Sequence, residues 1–221
     1  MKILNIIDLS HEMFNCCAGY MPYEMAKFTY EKILPKDGYT AERINMNSHT
    51  ATHFDAPYHV MADGMFIDEM PLEQFMGPAV VINLGDLEPR AAITLDDVKP
   101  YDEKISEGDI VMLCTGFAKQ RGWNSNYVDD WPHLNEEAAE WLISKGVKGI
   151  CTDGLSIAGN RPGEGGGTHG IILGNNVWIL EEMNYTDELF EYDDWYFIGY
   201  PLKLKGFGGS PARAAAVRFE K

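Results

Sequence analysis

The segment 48–59 constrains this chain more than any other, because it holds three of the six histidines and one aspartate. Imidazole and carboxylate groups are ligands for divalent metals such as zinc and manganese. His49 and His53 are four residues apart, so a helical turn would bring their Cβ atoms to about 6 Å, whereas a straight strand would separate them by about 13 Å. Because Pro57 resists both a helix interior and a central strand, a bent, irregular segment is predicted. It can fold both histidines and Asp55 around a metal; the alternative is a polar loop whose histidines only form hydrogen bonds.

A glycine-rich run, 163–170, carries another histidine in a setting suited to chemistry. Glycines allow unusual backbone angles and close approach, so the run can carry His169 into a pocket. The apolar residues 177–180 read as a strand that would place Glu181 at its end. Taken alone, the pair is weak evidence for a site, because a glycine-rich run is often only a loop and Glu181 or Glu182 can simply be solvated.

The pattern His-x-x-x-His-x-Asp-x-Pro-x-His resembles the signature of the metal-dependent cyclase family, which contains bacterial kynurenine formamidases and isatin hydrolases. The chain matches every specified position of that pattern, namely His49, His53, Asp55, Pro57 and His59. The similarity spans nearly the whole chain, from an opening strand at 8–10 to a closing hairpin formed by 201–204 and 209–214.

The resemblance implies a metal site, a catalyst and an assembly. The implied ligands are His49, His53 and Asp55 for a first ion, and His169 and Glu181 for a second ion that Asp55 would bridge to the first. His59 would be the acid/base catalyst rather than a ligand. The ion would be zinc or manganese, with one or two bound per chain. A homodimer or homotetramer is expected, with N-terminal segments reaching toward a neighbour's pocket.

Two departures from the family pattern bear on the site. The family usually has glycine where this chain has Ala51, a small change that should spare the ligands. The kynurenine formamidases carry a Trp-Pro-Gly-Asp-type segment where this chain reads Gly-Tyr-Met-Pro-Tyr-Glu-Met at 19–25. Substrate-facing residues are expected in this segment, so the resemblance predicts the fold and the metal chemistry better than it predicts the substrate. The aromatic residues expected to line the pocket are Tyr20, Tyr23, Phe66, Trp123 and Tyr127.

Composition narrows the class of protein. A formal charge of −16 argues against nucleic-acid binding, which needs basic patches. No apolar run approaches the roughly 20 residues that span a membrane, and the short apolar start at 3–7 favours a first strand over a signal peptide. A cytoplasmic protein with reduced thiols is therefore expected, since none of the four cysteines shows Cys-x-x-Cys spacing.

Apolar runs rich in valine and isoleucine predict strands at 3–9, 79–84, 109–115, 147–152, 176–180 and 196–204. The clearest helix is 135–145, which Asn135 can cap and Gly146 can end, and a shorter one is predicted at 71–76. Short strands with few helices indicate a β-rich α/β fold rather than a doubly wound sheet. The resemblance sharpens this to a swivelling β/β/α fold in one domain, 1–221.

The function that these features favour is metal-dependent hydrolysis of an amide-like bond. The substrate would be an aryl formamide such as N-formylkynurenine, a cyclic amide such as isatin, or a lactone. One alternative is a serine hydrolase, because Gly154-Leu155-Ser156-Ile157-Ala158 approximates a nucleophile elbow with alanine at its last position. If Ser156 is not a nucleophile, Asp153 and Ser156 are expected to orient the site or its glycine loop. Another alternative is a metal-dependent binding protein without turnover.

His11 is expected to be structural, and His133 to lie at the surface.

Overall fold

A computed structural model describes residues 2–220 of the chain. The strands are β1 (Ile3–Asp8), β2 (Lys27–Lys32), β3 (Ala41–Asn45), β4 (His53–Asp55), β5 (Met76–Asn83), β6 (Ala92–Ile93), β7 (Ile110–Cys114), β8 (His133–Leu134), β9 (Gly149–Thr152), β10 (Trp178–Glu181), β11 (Tyr196–Pro201) and β12 (Gly209–Phe219). The helices are α1 (Leu34–Asp37), α2 (Leu95–Val98), α3 (Ser125–Asp129), α4 (Glu136–Ser144) and α5 (Thr168–Gly174). Short 3-10 helices cover Pro57–His59, Leu72–Phe75, Lys99–Lys104, Phe117–Gln120 and Asp187–Glu191.

Seven strands close into a barrel in the order β12, β11, β5, β7, β9, β10 and β4, because β4 pairs back onto β12. The pairs within β5, β7, β9 and β10 are parallel, and the remaining pairs of the barrel are antiparallel. β1 attaches to β12 as an extra edge strand. This mixed barrel with helices confirms the expected β-rich α/β fold.

The side chains of β7 show how the sequence builds two apolar layers. All five residues of this strand are buried, and successive side chains of a strand point to opposite faces. Met112 and Cys114 join a core cluster that includes Phe54 and Trp178. Val111 and Leu113, on the other face, join a second cluster with residues of α4 and α5. Burial on both faces explains why the strand reads as a continuous apolar run.

Helix α4 forms where the sequence predicts it. The side chain of Asn135 accepts a hydrogen bond from the backbone N–H of Ala138 at 2.8 Å, which caps the helix start. Gly146 follows the helix with a φ of +74°. Ala138, Ala139 and Leu142 are fully buried in the second cluster, so this face packs α4 onto the sheet.

The other predicted elements differ from the structure mainly at their ends. The six predicted strands correspond to β1, β5, β7, β9, β10 and β11, with boundaries shifted by up to three residues. The predicted helix at 71–76 is a 3-10 helix over Leu72–Phe75, with Pro71 just before it rather than inside it. Two small sheets, β2–β3 and β6–β8, lie outside the barrel and were not among the predicted strands. Across residues 2–220, no helix has the length and apolar character needed to cross a membrane.

Candidate metal centre and its pocket

The histidine-rich segment is bent, as the sequence predicts. Residues 48–52 form turns in which Ala51 adopts a φ of +55°, in the left-handed region that favours glycine. β4 then enters the barrel between β10 and β12, with His53 paired to Glu181. Pro57 opens the 3-10 helix Pro57–His59. The bend, rather than a regular helix or strand, brings the four side chains of the pattern together.

Asp55 is the hub of the cluster and is fully buried. His49 places Nδ1 at 2.6 Å from Asp55 Oδ1, and His53 Nε2 lies 3.4 Å from the same oxygen. His53 also donates from Nδ1 to the carbonyl oxygen of Ala51 at 2.7 Å. That hydrogen bond sets the ring's orientation and leaves Nε2 directed at the carboxylates, an arrangement typical of metal-binding histidines.

The second predicted pair joins the same cluster. His169 lies in the first turn of α5, where its Nε2 is 3.2 Å from Glu181 Oε1 and 3.7 Å from Asp55 Oδ2. Glu181 ends β10, and its Oε1 accepts hydrogen bonds from the Ser156 hydroxyl at 2.9 Å and the Ile157 N–H at 2.8 Å. Its other oxygen, Oε2, lies 3.6 Å from Nε2 of His53. The structure therefore brings the five predicted ligands into one site.

The cluster has the donor atoms and the unmet polar groups that a divalent cation would satisfy. His53, Asp55 and Glu181 each offer a ligand atom, and these atoms all lie within 4.8 Å of one another. His53 Nε2 and Asp55 Oδ2 are buried without a hydrogen-bond partner. Buried polar atoms rarely remain unsatisfied, and imidazole with carboxylate is a common donor set for zinc and manganese. The residues present therefore fit such an ion.

The pKa values of the cluster show that it stabilises positive charge. Burial opposes protonation of His53 and His169, but hydrogen bonds and charge from Asp55 and Glu181 outweigh it and raise their pKa values to about 9 and about 10. Burial also opposes ionisation of Asp55, yet the three neighbouring histidines hold its pKa well below the usual range. A bound cation would compete with these protons for the same nitrogens.

His59 borders the cluster on its open side. Its ring centroid lies 4.2 Å from that of His49 and 5.8 Å from that of His169. Burial lowers the pKa of His59, so its imidazole is neutral near pH 7. One of its ring nitrogens also falls within 4.8 Å of ligand atoms of His49 and Asp55. The geometry therefore allows His59 either to exchange protons with a substrate or to bind an ion.

A cavity of about 300 Å³ opens onto the cluster. Tyr20 and Tyr23 line one part of it, with their rings edge to face at 5.3 Å. Trp131, which the sequence did not single out, lines another part and donates from Nε1 to the Ala158 carbonyl at 2.7 Å. Gly159 and Asn160, together with Gly166 of the glycine-rich run, form a further wall. The cavity thus combines a polar floor with largely neutral walls.

Three aromatic residues expected in the pocket lie outside this cavity. Phe66 packs against Tyr58 with ring centroids 4.2 Å apart. Trp123 is 46% exposed and donates from its indole N–H to the Cys16 carbonyl at 2.7 Å, beside a separate shallow crevice. Tyr127 is fully buried, because α3 packs it against the apolar cluster that contains Phe117. Spacing along the sequence could not distinguish packing of these rings from exposure to a ligand.

A buried ion pair lies behind the cavity, and the sequence alone did not predict it. Glu182 lines the cavity, is 1% exposed, and has a φ of +52°. Its Oε2 accepts hydrogen bonds from Arg121 Nε at 3.1 Å and from the Tyr127 hydroxyl at 2.9 Å. Arg121 also donates to the carbonyl of Glu12, which ties the N-terminal segment to the site. The acidic pair Glu181-Glu182 was the only sequence signal, and it does not reveal which partner each carboxylate takes.

Other polar residues have positions that clarify their roles. Ser156 orients Glu181, as described above, whereas the buried Asp153 accepts from the Thr115 hydroxyl at 2.6 Å and from the Tyr185 hydroxyl at 3.0 Å. Asp153 therefore holds the loop after β7 rather than the glycine loop. The expectation of a surface position for His133 is wrong, since it is 5% exposed in β8. His11 donates its backbone N–H to the Thr52 hydroxyl at 2.8 Å, which agrees with a structural role.

Comparison with known proteins agrees with this geometry. A family model described as putative cyclase matches residues 7–158. The kynurenine formamidase of Bacillus anthracis is 28% identical, with 97% of this chain and 98% of that protein covered. Isatin hydrolase A from Labrenzia aggregata, solved with benzyl benzoate bound, superposes with a TM-score of 0.84 at 26% identity over 98% of this chain and 94% of that one. A structure described as a potential metal-dependent hydrolase with cyclase activity has a TM-score of 0.79 at 27% identity, covering 98% and 99% of the two chains.

Proposed function

Because the chain belongs to the putative cyclase family, we propose that it is a metal-dependent hydrolase that cleaves the carbon–nitrogen bond of an aryl formamide or a cyclic amide. The relatives compared above include a kynurenine formamidase and an isatin hydrolase, both of which act on such bonds outside peptides. The observation that carries the proposal is the buried Asp55, which contacts three histidines at the floor of an aromatic cavity.

The distances within the cluster support a particular ligand set. His53, Asp55 and Glu181 would hold one ion through atoms that lie within 4.8 Å of one another. His49 and His169 flank Asp55 on its two oxygens, so they would complete this site or a second one that shares the carboxylate. When bound, a divalent cation makes water nucleophilic at neutral pH and polarises a carbonyl oxygen.

Side chains of the protein would carry out the proton transfers and position the substrate. His59 is neutral near pH 7 and borders both the cluster and the cavity, so it can accept a proton from the attacking water. The same imidazole can return that proton to the nitrogen as the carbon–nitrogen bond breaks. Tyr23 and Trp131 would hold the aromatic ring of the substrate, which keeps the scissile carbonyl facing Asp55.

The position of Ser156 disfavours the serine-hydrolase alternative. Its hydroxyl donates to Glu181 at 2.9 Å, so it faces a carboxylate ligand instead of acting as a nucleophile paired with a histidine base. Ser156→Ala should weaken the support of Glu181 and leave chelator-sensitive activity. Turnover that resists chelation and disappears in this variant would restore the serine mechanism.

The proposal is tested by removing and restoring the metal. Chelated protein is reconstituted with zinc or with manganese and assayed with an aryl formamide, isatin and a simple lactone. We expect no turnover by the chelated protein, and restored turnover of an amide substrate with at least one of the two ions. Hydrolysis that is equally fast in the presence of the chelator would contradict the proposal. Tight binding of these compounds without turnover would instead support the binding-protein alternative.

A further inference from the structure

We infer that the pocket selects an uncharged aromatic amide and discriminates against amides that carry a free carboxylate, such as N-formylkynurenine, whose amino-acid group bears a carboxylate beside an ammonium. This inference rests on the proposed hydrolytic function and narrows its substrate class. It follows from the charges of the cavity walls and from the partners of the nearby arginines.

Outside the histidine cluster, the cavity offers no cationic side chain to a substrate carboxylate. Within the described part of the chain, its lining contains neither lysine nor arginine. Away from the histidine cluster, the walls are aromatic, aliphatic or amide groups, including Trp131, Leu155 and Asn160. The glutamates of the lining, Glu181 and Glu182, are paired with the histidine cluster and with Arg121, so they offer a substrate carboxylate no favourable partner. The polar floor is therefore suited to the scissile carbonyl and the walls to an uncharged ring.

The arginines that border these walls are engaged by acidic partners. Arg121 lies behind Glu182, where its side chain is 10% exposed and forms an ion pair at 3.1 Å. Arg161 follows Asn160, just before the glycine-rich run, and its guanidinium is paired with Asp130. Arg90 donates from Nε to Glu164 at 2.8 Å, which anchors that run. Because these carboxylates pair with the three arginines, the arginines stabilise the structure around the pocket and leave no guanidinium free to bind a substrate.

An unpaired carboxylate pays a desolvation penalty when it enters such a cavity. Burying a charge without a partner is strongly unfavourable, whereas an aromatic ring gains free energy by leaving water. The scissile carbonyl must face the ligand cluster, so a carboxylate elsewhere on the substrate would lie against the neutral walls. A substrate of matched shape without that group should therefore bind and react better.

A matched pair of formamides tests the inference. N-formylkynurenine and 2-formamidoacetophenone share the aromatic ring, the ketone and the scissile formamide, but the second lacks the amino-acid group. With metal-restored enzyme, we expect kcat/KM to be at least about tenfold higher for 2-formamidoacetophenone, since unpaired polar groups at a site commonly change selectivity by that factor or more. An equal or higher value for N-formylkynurenine would overturn the inference.

Three variants locate the cause of the selectivity. Asn160→Lys places a cation at the wall and should raise kcat/KM for N-formylkynurenine severalfold relative to the neutral compound. Asn160→Gln is the matched control and should leave the ratio unchanged. Arg161→Gln should also leave it unchanged; a selective loss of N-formylkynurenine hydrolysis in this variant would mean that Arg161 reaches the substrate, which would overturn the inference.

Binding of the reaction products separates this inference from the proposed function. Calorimetric titration of metal-loaded protein with 2-aminoacetophenone and with kynurenine requires no turnover. We expect the neutral compound to bind at least about tenfold more tightly, on the same reasoning. Equal binding, tighter binding of kynurenine, or no binding of either compound would overturn the inference. Selective binding without hydrolysis of either formamide would instead count against the proposed function alone.

Discussion

At the scale of single residues, two consecutive glutamates at the end of β10 take opposite directions. Glu181 turns into the cluster, where Ser156 and a backbone N–H fix one of its oxygens. Glu182 turns away and is neutralised by Arg121. The positive φ of Glu182 is a conformation that costs a non-glycine residue about 1 kcal/mol or more. Residue type alone could identify two acids here, but only the backbone conformation separates a candidate ligand from a structural anion.

His59→Ala tests the assignment of the acid/base catalyst. Loss of a positioned proton donor and acceptor typically lowers turnover by roughly 10²–10⁴-fold. We therefore expect kcat to fall in that range while the metal content per chain, measured by elemental analysis, stays equal to that of the unmodified protein. Because His59 also lies within ligand distance of His49 and Asp55, loss of metal from this variant would show that His59 binds the ion.

His11 gives the fold a dependence on pH that is independent of catalysis. Burial, together with the nearby Arg121, lowers the pKa of His11 to about 3. In the unfolded chain this imidazole has a pKa near 6.5, so below that pH the unfolded state takes up a proton that the folded state excludes. Stability is therefore fully present above pH 6.5 and is lost as the pH falls toward 3.

His11→Gln should remove this part of the pH dependence. Urea unfolding of the metal-free protein at pH 7 and pH 5.5 gives the free energy of unfolding at both values. The unmodified protein should lose about 1 kcal/mol more than the variant over that interval, from the linkage of about 1.4 kcal/mol per pH unit for one proton. Identical losses in the two proteins would show that His11 becomes protonated in the folded state.

At the scale of elements, the start of β12 is shaped by the metal cluster beside it. A Cβ atom added to Gly209 would lie 2.5 Å from Cε1 of His49 and 2.7 Å from the Phe54 carbonyl oxygen. One added to Gly208 would lie 2.9 Å from Cα of His59. Backbone cannot be displaced as easily as a flexible side chain, so these two glycines let the strand approach the histidines closely.

Gly209→Ala should weaken metal binding because the new methyl group displaces the His49 ring. Substitutions that disturb the orientation of a ligand typically reduce metal affinity by about 10–100-fold. Calorimetric titration with zinc should show a loss in that range, with Gly122→Ala as the control, since a Cβ atom at Gly122 makes only ordinary contacts of 3.6 Å or more. Unchanged affinity in Gly209→Ala would indicate that His49 does not ligate the ion.

Elements that depend on local pattern were predicted from the sequence, and those that depend on distant partners were not. α4 has a cap, acidic residues in its first turn and an apolar face, so its bounds were predicted within one residue. β4 is only three residues long, and its place between β10 and β12 is set by pairing with strands more than a hundred residues away. The bend before it was predicted for two reasons. A straight strand would hold His49 and His53 too far apart to share an ion, and Pro57 resists both a helix interior and a central strand.

In the pocket, too, residues marked by a local sequence feature were predicted, and residues placed by long-range packing were not. Tyr20 and Tyr23 were predicted from a segment where the chain departs from its family, and both line the cavity. Trp131 follows α3 and lines the cavity from within the apolar cluster that also contains Tyr127, a position that no spacing along the chain encodes. An aromatic residue on a short helix or loop looks the same in sequence whether it faces a cavity or the core.

At the scale of the whole molecule, the β2–β3 hairpin projects apolar groups that the barrel does not cover. Tyr30 is 71% exposed and Ile44 is 61% exposed. Ile44 pairs with Phe28, two residues from Tyr30, so the three side chains share one face. An isolated two-stranded hairpin is marginally stable in water. We propose that the chain forms a homodimer, or a homotetramer built from dimers, in which a second copy covers this face.

The combined variant Tyr30→Glu and Ile44→Glu should disrupt this assembly. Burying two carboxylates without partners in an apolar interface is strongly unfavourable. Light scattering after size-exclusion chromatography should give an oligomer for the unmodified protein and a monomer for the variant. The control Lys99→Glu, in the 3-10 helix Lys99–Lys104, alters charge elsewhere and should leave the oligomer intact. A monomeric mass for the unmodified protein at micromolar concentration would exclude the assembly.

The most direct test of the central claim is turnover measured against the number of bound ions per chain. Chelated protein is titrated with zinc or manganese, and bound metal and the rate of formamide or isatin hydrolysis are followed in the same samples. The rate should rise with bound metal, reach a plateau at one or two ions per chain, and be absent in Asp55→Asn, which removes the charge shared by three histidines. Full activity in protein without bound metal, or in Asp55→Asn, would contradict the assignment of this cluster as a hydrolytic metal centre.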